Sequence, residues 1–355
     1  MSEKIRLGIL FGGISNEHEV SRLSTASILK KINEEKYDIT KVGITKKGKW
    51  LVTTATPTEI SDGTWENNKE NIPVTINLCG VEKGLLTIDG KEIPLDVVFP
   101  VMHGRNAEDG RMQGLLEIAG IPYVGPGVLG SSVGMDKLCA KMVAKDLGVV
   151  QADYYPLLSH TFATNPLGEL DNIEKHFNGK YPVFVKPCNS GSSVGITKAH
   201  DRNELFEGIK VAAEVDNRIV IEEGIVGREI EVAVLGNRDP KASRIGEILS
   251  ANEEIYDYEA KYNNSDSKTV IVEDLPKEIE REIRDTAVHI FKGFDCKGLS
   301  RVDFFYSEKG EIVFNEINTL PGFTNISMYP QLWQDMGIEY SELIDRLIDL
   351  AMEEF

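Results

Sequence analysis

The segment FNEINTLPGFT, residues 314–324, constrains the fold more than any other stretch of this chain. Glu316 and Asn318 stand two positions apart in an otherwise apolar run, and residues two apart on a strand share one face. The turn-forming pair Pro321-Gly322 follows at once. An upstream segment, 299–307, has a strand-like pattern as well, and a four-residue loop over 308–311 would join the two into a hairpin. We therefore expect two polar side chains on one face of a hairpin that buries its other face.

That hairpin brings two carboxylates together. Its predicted facing pairs are Asp303 with Glu316, Arg301 with Asn318, and Phe305 with Phe314. The opposite face, which should join a core, is predicted to carry Val302, Phe304, Tyr306, Val313 and Ile317. Carboxylates that face each other repel, so a positive charge must compensate them. An exposed sheet face neutralised by an arginine is one interpretation, but a hard divalent cation such as magnesium is favoured because the polar face offers oxygen ligands.

Length and charge limit the other possibilities. The chain has 355 residues, more than one hydrophobic core usually serves, so two or three domains are expected. Its net charge of 39 − 57 = −18 disfavours a nucleic-acid or membrane partner. Four scattered cysteines without a CxxC pair suit the reducing cytosol. With no apolar stretch long enough to span a bilayer, we expect a cytoplasmic protein.

The first part of the chain alternates strand-like and helical patterns, which predicts an α/β domain with a doubly wound parallel sheet. The predicted strands are Lys4–Phe11, Tyr37–Thr45 and Asp96–His103, and the predicted helices are Val20–Ile32 and Asp109–Ala119. A polar, turn-rich stretch reaches to about Glu92. Ligands of such sheets bind at the carboxyl ends of the strands, which places Glu17 and His103 near one crevice.

The remainder reads as two smaller α+β units. The central unit has predicted helices at Met135–Leu147 and Asn203–Val215 and predicted strands at Tyr181–Pro187 and Arg218–Ile225. The last unit has strands at 228–235 and 242–249, a polar loop at 251–268, a helix at 278–291, the hairpin at 299–318 and a closing helix at 341–352. The helix at 278–291 has Ile279, Ile283, Ala287 and Ile290 on one face, and the closing helix is expected to bury Leu343, Leu347 and Leu350. The expected domains are therefore 1–125, 126–226 and 227–355.

Three further segments are candidates for binding. GSSVG, 191–195, follows the strand that carries Lys186 and could cradle a phosphate, although an ordinary hairpin turn would look alike. No GxxxxGK[ST] motif occurs. IVIEEGIVGREIEV, 219–232, holds acidic residues that could accept from adenine or ribose, or could simply be solvated. YDYEAKYNN, 256–264, is either disordered or a lid, and its three tyrosines favour a lid.

Taken together, the motifs resemble those of the D-alanine–D-alanine ligases, a family of ATP-grasp enzymes, over nearly the whole chain. Several matches in the same order are far more specific than one. The segments that carry the resemblance are GGISNEHEVS, HGRNAEDGRMQG, MDK, VKPCNSGSSVG, GREIEVAVLG, YDYEAKY, SRVDFFY and NEINTLPGFTNISMYP.

The resemblance implies a role for each matching position. ATP would lie between the central and C-terminal domains, against Lys137, Lys186, Ser193, Glu222, Glu223, Ile225 and Glu229. Two magnesium ions, which manganese may replace, would be held by Asp303, Glu316 and Asn318. The catalytic set would be Glu17, Ser192, Tyr262, Arg301 and the N–H of Gly322, and the substrate-binding set would be His103, Lys261, Ser327 and Met328.

The activity implied is the ATP-dependent joining of two D-alanines through a D-alanyl phosphate, for peptidoglycan precursors, by a homodimer. A sister ligase that makes D-alanyl-D-serine or D-alanyl-D-lactate is an alternative. Serine-using relatives tend to carry arginine where this chain has Met328, and lactate-using relatives have a lid histidine that YDYEAKYNN lacks. A regulatory ATP-binding module is a third possibility, but mere binding would not need Arg301 and Gly322 beside the metal ligands.

Overall fold

Three β-sheets organise the protein. The computed structural model describes residues 4–78, 82–249 and 268–353. Within these ranges the sheets contain seven, four and five strands and follow one another along the chain. The first sheet is mixed and the other two are antiparallel, which fits the mixed α/β class that was predicted.

The first sheet has the strand order β6-β5-β4-β3-β2-β1-β7. Its strands are β1 Ile5–Gly12, β2 Tyr37–Ile44, β3 Trp50–Val52, β4 Ile72–Ile76, β5 Gly84–Thr87, β6 Glu92–Pro94 and β7 Val97–Val101. The predicted parallel unit is the trio in which β1 pairs with β2 and β7. The stretch to Glu92, expected to be mainly turns, adds four short antiparallel strands. Alternate buried residues such as Val74 and Ile76 give β4 its strand pattern.

Helices around this sheet are α1 His18–Leu29, α2 Pro57–Asp62, a 3₁₀ turn Thr64–Asn67 and α3 Arg111–Ile118. The chain then enters α4 Val128–Met135 and α5 Lys137–Asp146. A single helix was predicted to begin at Met135. In the structure α4 ends at Met135 and α5 begins after Asp136. This residue has an extended backbone, and its carboxylate caps α5 by accepting the N–H of Cys139 at 2.9 Å. An aspartate at a helix N-cap is a strong start signal, so α5 begins afresh there.

The central sheet has the order β10-β9-β11-β8 and three helices. These elements are β8 Tyr154–Leu158, α6 Ser159–Thr164, α7 Pro166–His176, β9 Val183–Pro187, β10 Thr197–Ala199, α8 Arg202–Val215 and β11 Arg218–Glu223. Because β9 and β10 pair antiparallel, the segment GSSVG is part of a hairpin connection. The hairpin interpretation is therefore correct, and it leaves room for a binding role.

The third sheet has the order β14-β13-β12-β15-β16. Its elements are β12 Gly227–Leu235, β13 Lys241–Leu249, β14 Lys268–Ile271, α9 Lys277–Gly293, β15 Leu299–Ser307, β16 Ile312–Asn318, α10 Met328–Asp335 and α11 Tyr340–Glu353. The predicted loop over 308–311 joins β15 to β16. As predicted, Asp303 faces Glu316 and Arg301 faces Asn318.

One predicted pair of the hairpin is wrong. The register shifts after Asp303, so Phe304, and not Phe305, faces Phe314, while Phe305 faces Val313. The N–H of Phe314 donates to the carbonyl of Val150 at 2.8 Å on the open side of β16. The residue between Phe314 and Glu316 has no facing residue on β15, and this extra residue in β16 makes a β-bulge. It turns the Phe314 ring into the core beside Phe304, in the place expected for Val313.

The last helix ties the C-terminal part of the chain to the first sheet. Leu343 and Leu347 of α11 are fully buried, and they share one apolar cluster with Leu7, Val97 and other residues of β1 and β7. Leu350, expected to be buried as well, lies at the margin of this cluster and is only partly covered. Leu320 and Phe323, from the segment that follows β16, belong to the same cluster. The first sheet thus packs against that segment. In the parts of the chain that the structure describes, no helix has the length and apolarity needed to cross a bilayer.

We expect Leu347→Ala to lower the free energy of unfolding by about 2–5 kcal/mol, because it leaves a cavity in the shared cluster. Urea unfolding followed by circular dichroism measures this. Asp349→Ala, an exposed change on the same helix, is the control and should shift stability by less than about 0.5 kcal/mol. Equal losses of unfolding free energy in the two variants would show that α11 does not hold the C-terminal part of the chain against the first sheet.

Candidate active site

A cavity of about 490 Å³ lies where the three sheets meet. Its walls come from the turn after β1, the loop after β9, the hairpin and the segment after β16. The predicted residues that line it are Glu17, His103, Lys137, Ser192, Ser193, Arg301, Glu316, Asn318, Gly322, Ser327 and Met328. Positions up to 311 residues apart in sequence, from Glu17 to Met328, therefore face one space.

Glu17 is held by backbone that comes very close to it. Ser192 donates a hydrogen bond to its Oε1 at 2.5 Å. A β-carbon at Gly104 or Gly191 would come within 2.3 or 2.6 Å of the same carboxylate, so a larger residue at either position would displace the Glu17 side chain. Ser192 itself has a φ of 49°, a left-handed conformation that is uncommon for serine. The loop after β9 thus takes a strained shape that delivers one hydroxyl to Glu17, and strain of this kind is typical of functional sites.

The polar face of the hairpin is balanced by cations of the protein. Arg301 donates to Asp303 through Nε at 2.8 Å and through a terminal nitrogen at 2.7 Å. The same guanidinium lies 3.1 Å from Glu231. Burial disfavours the charged form of Arg301, but these carboxylates hold its pKa well above the usual value. On the other strand, the ammonium of Lys137 lies 3.4 Å from Glu316.

This face fits a hard metal ion by the chemistry of its donors. Asp303 and Glu316 face each other and supply carboxylate oxygens, and the amide of Asn318 lies 2.9 Å from Asp303. Among the described residues, no three His, Cys, Asp or Glu side chains form a metal cluster of their own. The hairpin therefore supplies only part of a coordination shell. The remaining positions suit water and phosphate oxygens, as is usual for magnesium.

The segment after β16 is fastened by three side chains of the first domain. Leu320 donates its N–H to Glu108 at 3.1 Å and accepts at its carbonyl from His103 Nδ1 at 2.9 Å. Ser24 accepts the N–H of Phe323 at 3.2 Å and lies 3.2 Å from the other ring nitrogen of His103. Gly322 lies between these fastened residues and lines the cavity. Its N–H is thereby carried on a segment held from both sides.

Burial and charge perturb two of these side chains. Burial, with the nearby carboxylate of Glu17, raises the pKa of Glu108 to about 8. Burial lowers the pKa of His103 below its usual value, despite the opposing pull of Glu17. A neutral imidazole suits the geometry, because Nδ1–H donates to Leu320 while Nε2 can accept from Ser24.

A second group of charges lies beyond the cavity, where α5 packs on the central sheet. Glu222 on β11 accepts from Lys186 on β9 at 3.0 Å. Lys141 on α5 lies 3.4 Å from the same oxygen of Glu222. All three side chains are largely buried. Burial raises the pKa of Glu222, but the two lysines outweigh burial and hold it below the usual value.

The other predicted residues lie around these two groups. Glu223 accepts the N–H of Asp153 at 2.9 Å, and Ile225 lies in the connection between β11 and β12. Glu229 lies on β12 opposite Phe305. Ser327 precedes α10 and hydrogen-bonds to Thr324, while Met328 is buried over Gly246. The predicted lid residues Lys261 and Tyr262 lie outside the described residues.

Sequence reasoning missed three residues of these groups. Glu108 stands in the quoted motif HGRNAEDG, and Glu231 stands in GREIEVAVLG, but neither was given a role. Lys141 follows Lys137 by four positions on one helix, a spacing that puts two side chains on the same face. That spacing was the available signal. For Glu108 no local pattern shows that its partner is the backbone of Leu320, 212 positions away.

Comparison with known proteins decides the family. Residues 6–126 match the profile described as D-ala D-ala ligase N-terminus, and residues 143–349 match the profile of D-ala D-ala ligase C-terminus. The chain belongs to the D-alanine–D-alanine ligase family. The resemblance inferred from the motifs is confirmed, and with it the ATP-grasp fold and the class of enzyme, an ATP-dependent ligase.

Individual relatives agree over the full length. A D-alanine–D-alanine ligase from Acetivibrio thermocellus is 51% identical, covering 100% of this chain and 98% of its own, and one from Clostridium acetobutylicum is 49% identical, covering 98% of each. Among solved structures, the VanG D-Ala:D-Ser ligase from Enterococcus faecalis has a TM-score of 0.88 at 38% identity, covering 98% of this chain and 100% of its own. The D-alanine–D-alanine ligase from Coxiella burnetii has a TM-score of 0.86 at 34% identity, covering 99% and 96%.

The raised pKa of Glu108 makes a prediction about stability and pH. Between its usual pKa and about 8 the folded state binds a proton that the unfolded state has lost, so stability falls as pH rises through this window. His103 has the opposite sign but acts below pH 6.5, where the unfolded state gains its proton. From pH 6.5 to 8.5, wild type should therefore lose stability relative to Glu108→Gln, by an amount on the order of a few kcal/mol.

Urea unfolding at a series of pH values measures this difference. Glu117→Gln, at an exposed position on α3, is the control and should follow wild type. Parallel curves for wild type and Glu108→Gln would contradict the assignment of a protonated Glu108.

Proposed function

We propose that this chain joins two D-alanine molecules to D-alanyl-D-alanine, at the cost of one ATP, by way of a D-alanyl phosphate, and that the product serves peptidoglycan synthesis. One observation carries the mechanism. The cavity of about 490 Å³ is lined by Glu17, by Glu316 of the hairpin and by Gly322, which follows the fastened Leu320. Glu316 faces the second carboxylate of the hairpin, Asp303. Family membership supports the substrates, because relatives about 50% identical over the full chain are D-alanine–D-alanine ligases.

The family uses ATP and a divalent metal, and the charges suggest where each would bind. We place the phosphates against Lys137, Lys186 and Ser193, and the adenosine against Glu222, Glu223, Ile225 and Glu229. Two magnesium ions, replaceable by manganese, would be held by Asp303, Glu316 and Asn318 together with phosphate oxygens. When bound, such ions offset phosphate charge and polarise the transferring phosphoryl group.

In the first step, a carboxylate oxygen of the first D-alanine attacks the γ-phosphorus, and the bond to ADP breaks. Glu17, oriented by Ser192, would pair with the ammonium of this D-alanine and place its carboxylate towards the hairpin. Lysine charge at Lys137 and Lys186 lowers the cost of bringing that carboxylate to a phosphate. The first D-alanine thereby becomes an acyl phosphate, whose carbonyl carbon is a good electrophile.

In the second step, the unprotonated amine of the second D-alanine attacks that carbon and a tetrahedral oxyanion forms. The bond from carbon to the phosphate oxygen then breaks, phosphate leaves, and the nitrogen loses one proton to the departing phosphate or to water as the peptide bond is completed. We propose that the N–H of Gly322 and the guanidinium of Arg301 stabilise the oxyanion. Arg301 is tied to Asp303 and Glu231, so its position is set before substrate arrives. Lys261, Ser327 and Met328 would border the second substrate, and His103 would lie in the crevice with Glu17. Tyr262 would support Glu17 together with Ser192, and the lid that carries it would exclude water.

Ligation to D-serine is the nearest competing activity, and a D-Ala:D-Ser ligase is among the similar structures. Met328 favours D-alanine as the acceptor. It is 4% exposed, lines the cavity and presents an apolar wall. Such a wall suits a methyl group and gives a serine hydroxyl no partner. The hairpin residues and Gly322 count against a module that only binds ATP, because a binding protein has no use for an oxyanion site.

We propose domain limits at 1–125, 126–226 and 227–355, each unit containing one of the three sheets. We also propose a cytoplasmic homodimer without nucleic-acid or membrane partners. Light scattering coupled to gel filtration tests the dimer, and a monomer mass would overturn it.

The direct test of the function is incubation of the purified chain with ATP, magnesium and D-alanine. D-Alanyl-D-alanine, ADP and phosphate should appear in equal amounts, measured by mass spectrometry and a phosphate assay. Release of phosphate without dipeptide, or formation of AMP, would contradict the proposal.

We expect Glu316→Gln to lower kcat by about a hundredfold or more while the protein stays folded, because the hairpin loses one of its two opposed carboxylates. Steady-state ligation over a range of magnesium concentrations measures the loss. Glu311→Gln, in the hairpin loop outside the cavity, is the matched control. Near-normal turnover of Glu316→Gln at saturating magnesium would show that Glu316 holds no metal.

In competition between equimolar D-alanine and D-serine, we expect D-alanyl-D-alanine to exceed the mixed dipeptide by about tenfold to a hundredfold. The reason is the unsatisfied hydroxyl against Met328, a loss of about 1–3 kcal/mol. D-Lactate should also be a poor acceptor near neutral pH. Products are separated by mass, and comparable yields of the two dipeptides would rule out this role of Met328.

A further inference from the structure

Lys141 is a buried cation that the proposed mechanism does not use. It lies on α5, is 1% exposed, and its ammonium forms no hydrogen bond with any described residue. Its nearest charged neighbour is Oε2 of Glu222, at 3.4 Å, and the ring of Tyr154 lies 5.4 Å away. A lysine this deeply buried is normally paired by hydrogen bonds. Its environment therefore needs an explanation.

Glu222, the carboxylate that Lys141 faces, already accepts a hydrogen bond from another lysine. Oε2 of Glu222 accepts a hydrogen bond from Lys186 at 3.0 Å, so two lysines share one carboxylate oxygen. The two lysines therefore share their nearest carboxylate, while Glu223 attracts Lys141 more weakly. Burial and the charge of Lys186 lower the pKa of Lys141, although Glu222 opposes them. The ion pair of Lys186 and Glu222 would be complete without Lys141.

Lys141 becomes the necessary counter-ion of Glu222 if Lys186 moves away from this carboxylate. In the proposed function Lys186 contacts a phosphate of ATP, and it cannot then remain bound to Glu222 at full strength. Glu222 is 5% exposed, and a carboxylate this deeply buried without a cation takes up a proton. A protonated carboxyl has lost acceptor capacity. It would be a poor partner for the amino group of adenine, which donates hydrogen bonds.

We infer that Lys141 is a positioning residue that takes over as the counter-ion of Glu222 when Lys186 turns to the phosphates, and so keeps Glu222 an acceptor that selects adenine over guanine. This inference rests on the proposed placement of ATP. It deepens that proposal by assigning the choice of base to a pair, Lys141 and Glu222, of which only Glu222 would touch the nucleotide.

The test variant is Lys141→Met, which keeps the length of the side chain and removes its charge. Lys145→Met is the matched control, because Lys145 lies one turn further along α5 and is exposed. Binding of ADP and of GDP is measured by calorimetry, without D-alanine, so the readout does not depend on ligation. Wild-type ligation of D-alanine, measured separately, tests the proposed function itself.

We expect Lys141→Met to weaken ADP binding by tenfold or more and to leave GDP binding unchanged or tighter, because guanine presents an acceptor where adenine presents a donor. In ligation assays KM for ATP should rise by a similar factor, with KM for D-alanine unchanged. Lys145→Met should match wild type. Equal loss of ADP and GDP affinity would show that Lys141 merely attracts phosphate, and no loss would show that it has no role; either result overturns the inference.

Two further readouts separate positioning from a structural role. Glu222 is faced by Lys186 from β9, by Lys141 from α5 and, at longer range, by Lys137. With Lys141 removed, the ratio of variant to wild-type ADP affinity should fall as pH is lowered from 8.5 to 6, as Glu222 gains a proton. The nucleotide-free variant should melt at the wild-type temperature or above, because Lys186 still pairs Glu222 and a lone buried ammonium is gone.

A melting temperature several degrees below wild type, or an affinity ratio that does not change with pH, would contradict the inference. If Lys141→Met does not yield folded protein, Lys141→Gln is measured in the same way. A glutamine that preserved the preference for ADP would equally overturn the requirement for a charge.

Discussion

The interaction on which the site depends is the opposition of two carboxylates across one strand pair. Asp303 and Glu316 face each other in register, and such a pair is unfavourable unless positive charge is supplied. The protein supplies it from two directions, with Arg301 on Asp303 and Lys137 on Glu316. Because Lys137 comes from α5 and Glu316 from β16, the second of these pairs also holds α5 against the third sheet. In the proposed function these same charges would also meet the phosphate and the metal.

A second constraint is the fastening of Leu320 and Phe323 to the first domain. Both backbone polar groups of Leu320 are taken by side chains of the loop after β7, and Ser24 of α1 takes the N–H of Phe323. The proposed oxyanion donor, Gly322, is therefore positioned by a part of the chain far away in sequence. In the proposed mechanism this arrangement would couple the binding of the first substrate near Glu17 to the geometry at Gly322, because Glu108 lies close to Glu17 and holds Leu320.

Sequence reasoning predicted the features that repeat locally or match a motif. The parallel strands around β1, the buried faces of α9 and α11, and the Asp303–Glu316 pair all follow from periodicity and a loop length. It failed where a distant group decides the outcome. The register of β16 shifts between Phe314 and Glu316, where Phe314 bonds to the distant Val150, and α4 and α5 are separated at Asp136, whose side chain caps α5. Lys141 was missed because a lysine in an amphipathic helix looks solvated until the neighbouring strands are in place.

The proposed mechanism requires that an acyl phosphate forms in this cavity. Transfer of an oxygen isotope from D-alanine to phosphate tests this requirement directly. D-Alanine labelled with ¹⁸O in its carboxylate is incubated with ATP, magnesium and the enzyme, and the released phosphate is examined by ³¹P NMR. Attack of the carboxylate on the γ-phosphorus predicts one ¹⁸O atom in each phosphate that accompanies dipeptide, and none in ADP. Unlabelled phosphate released together with labelled dipeptide that has kept its full ¹⁸O content would contradict the account.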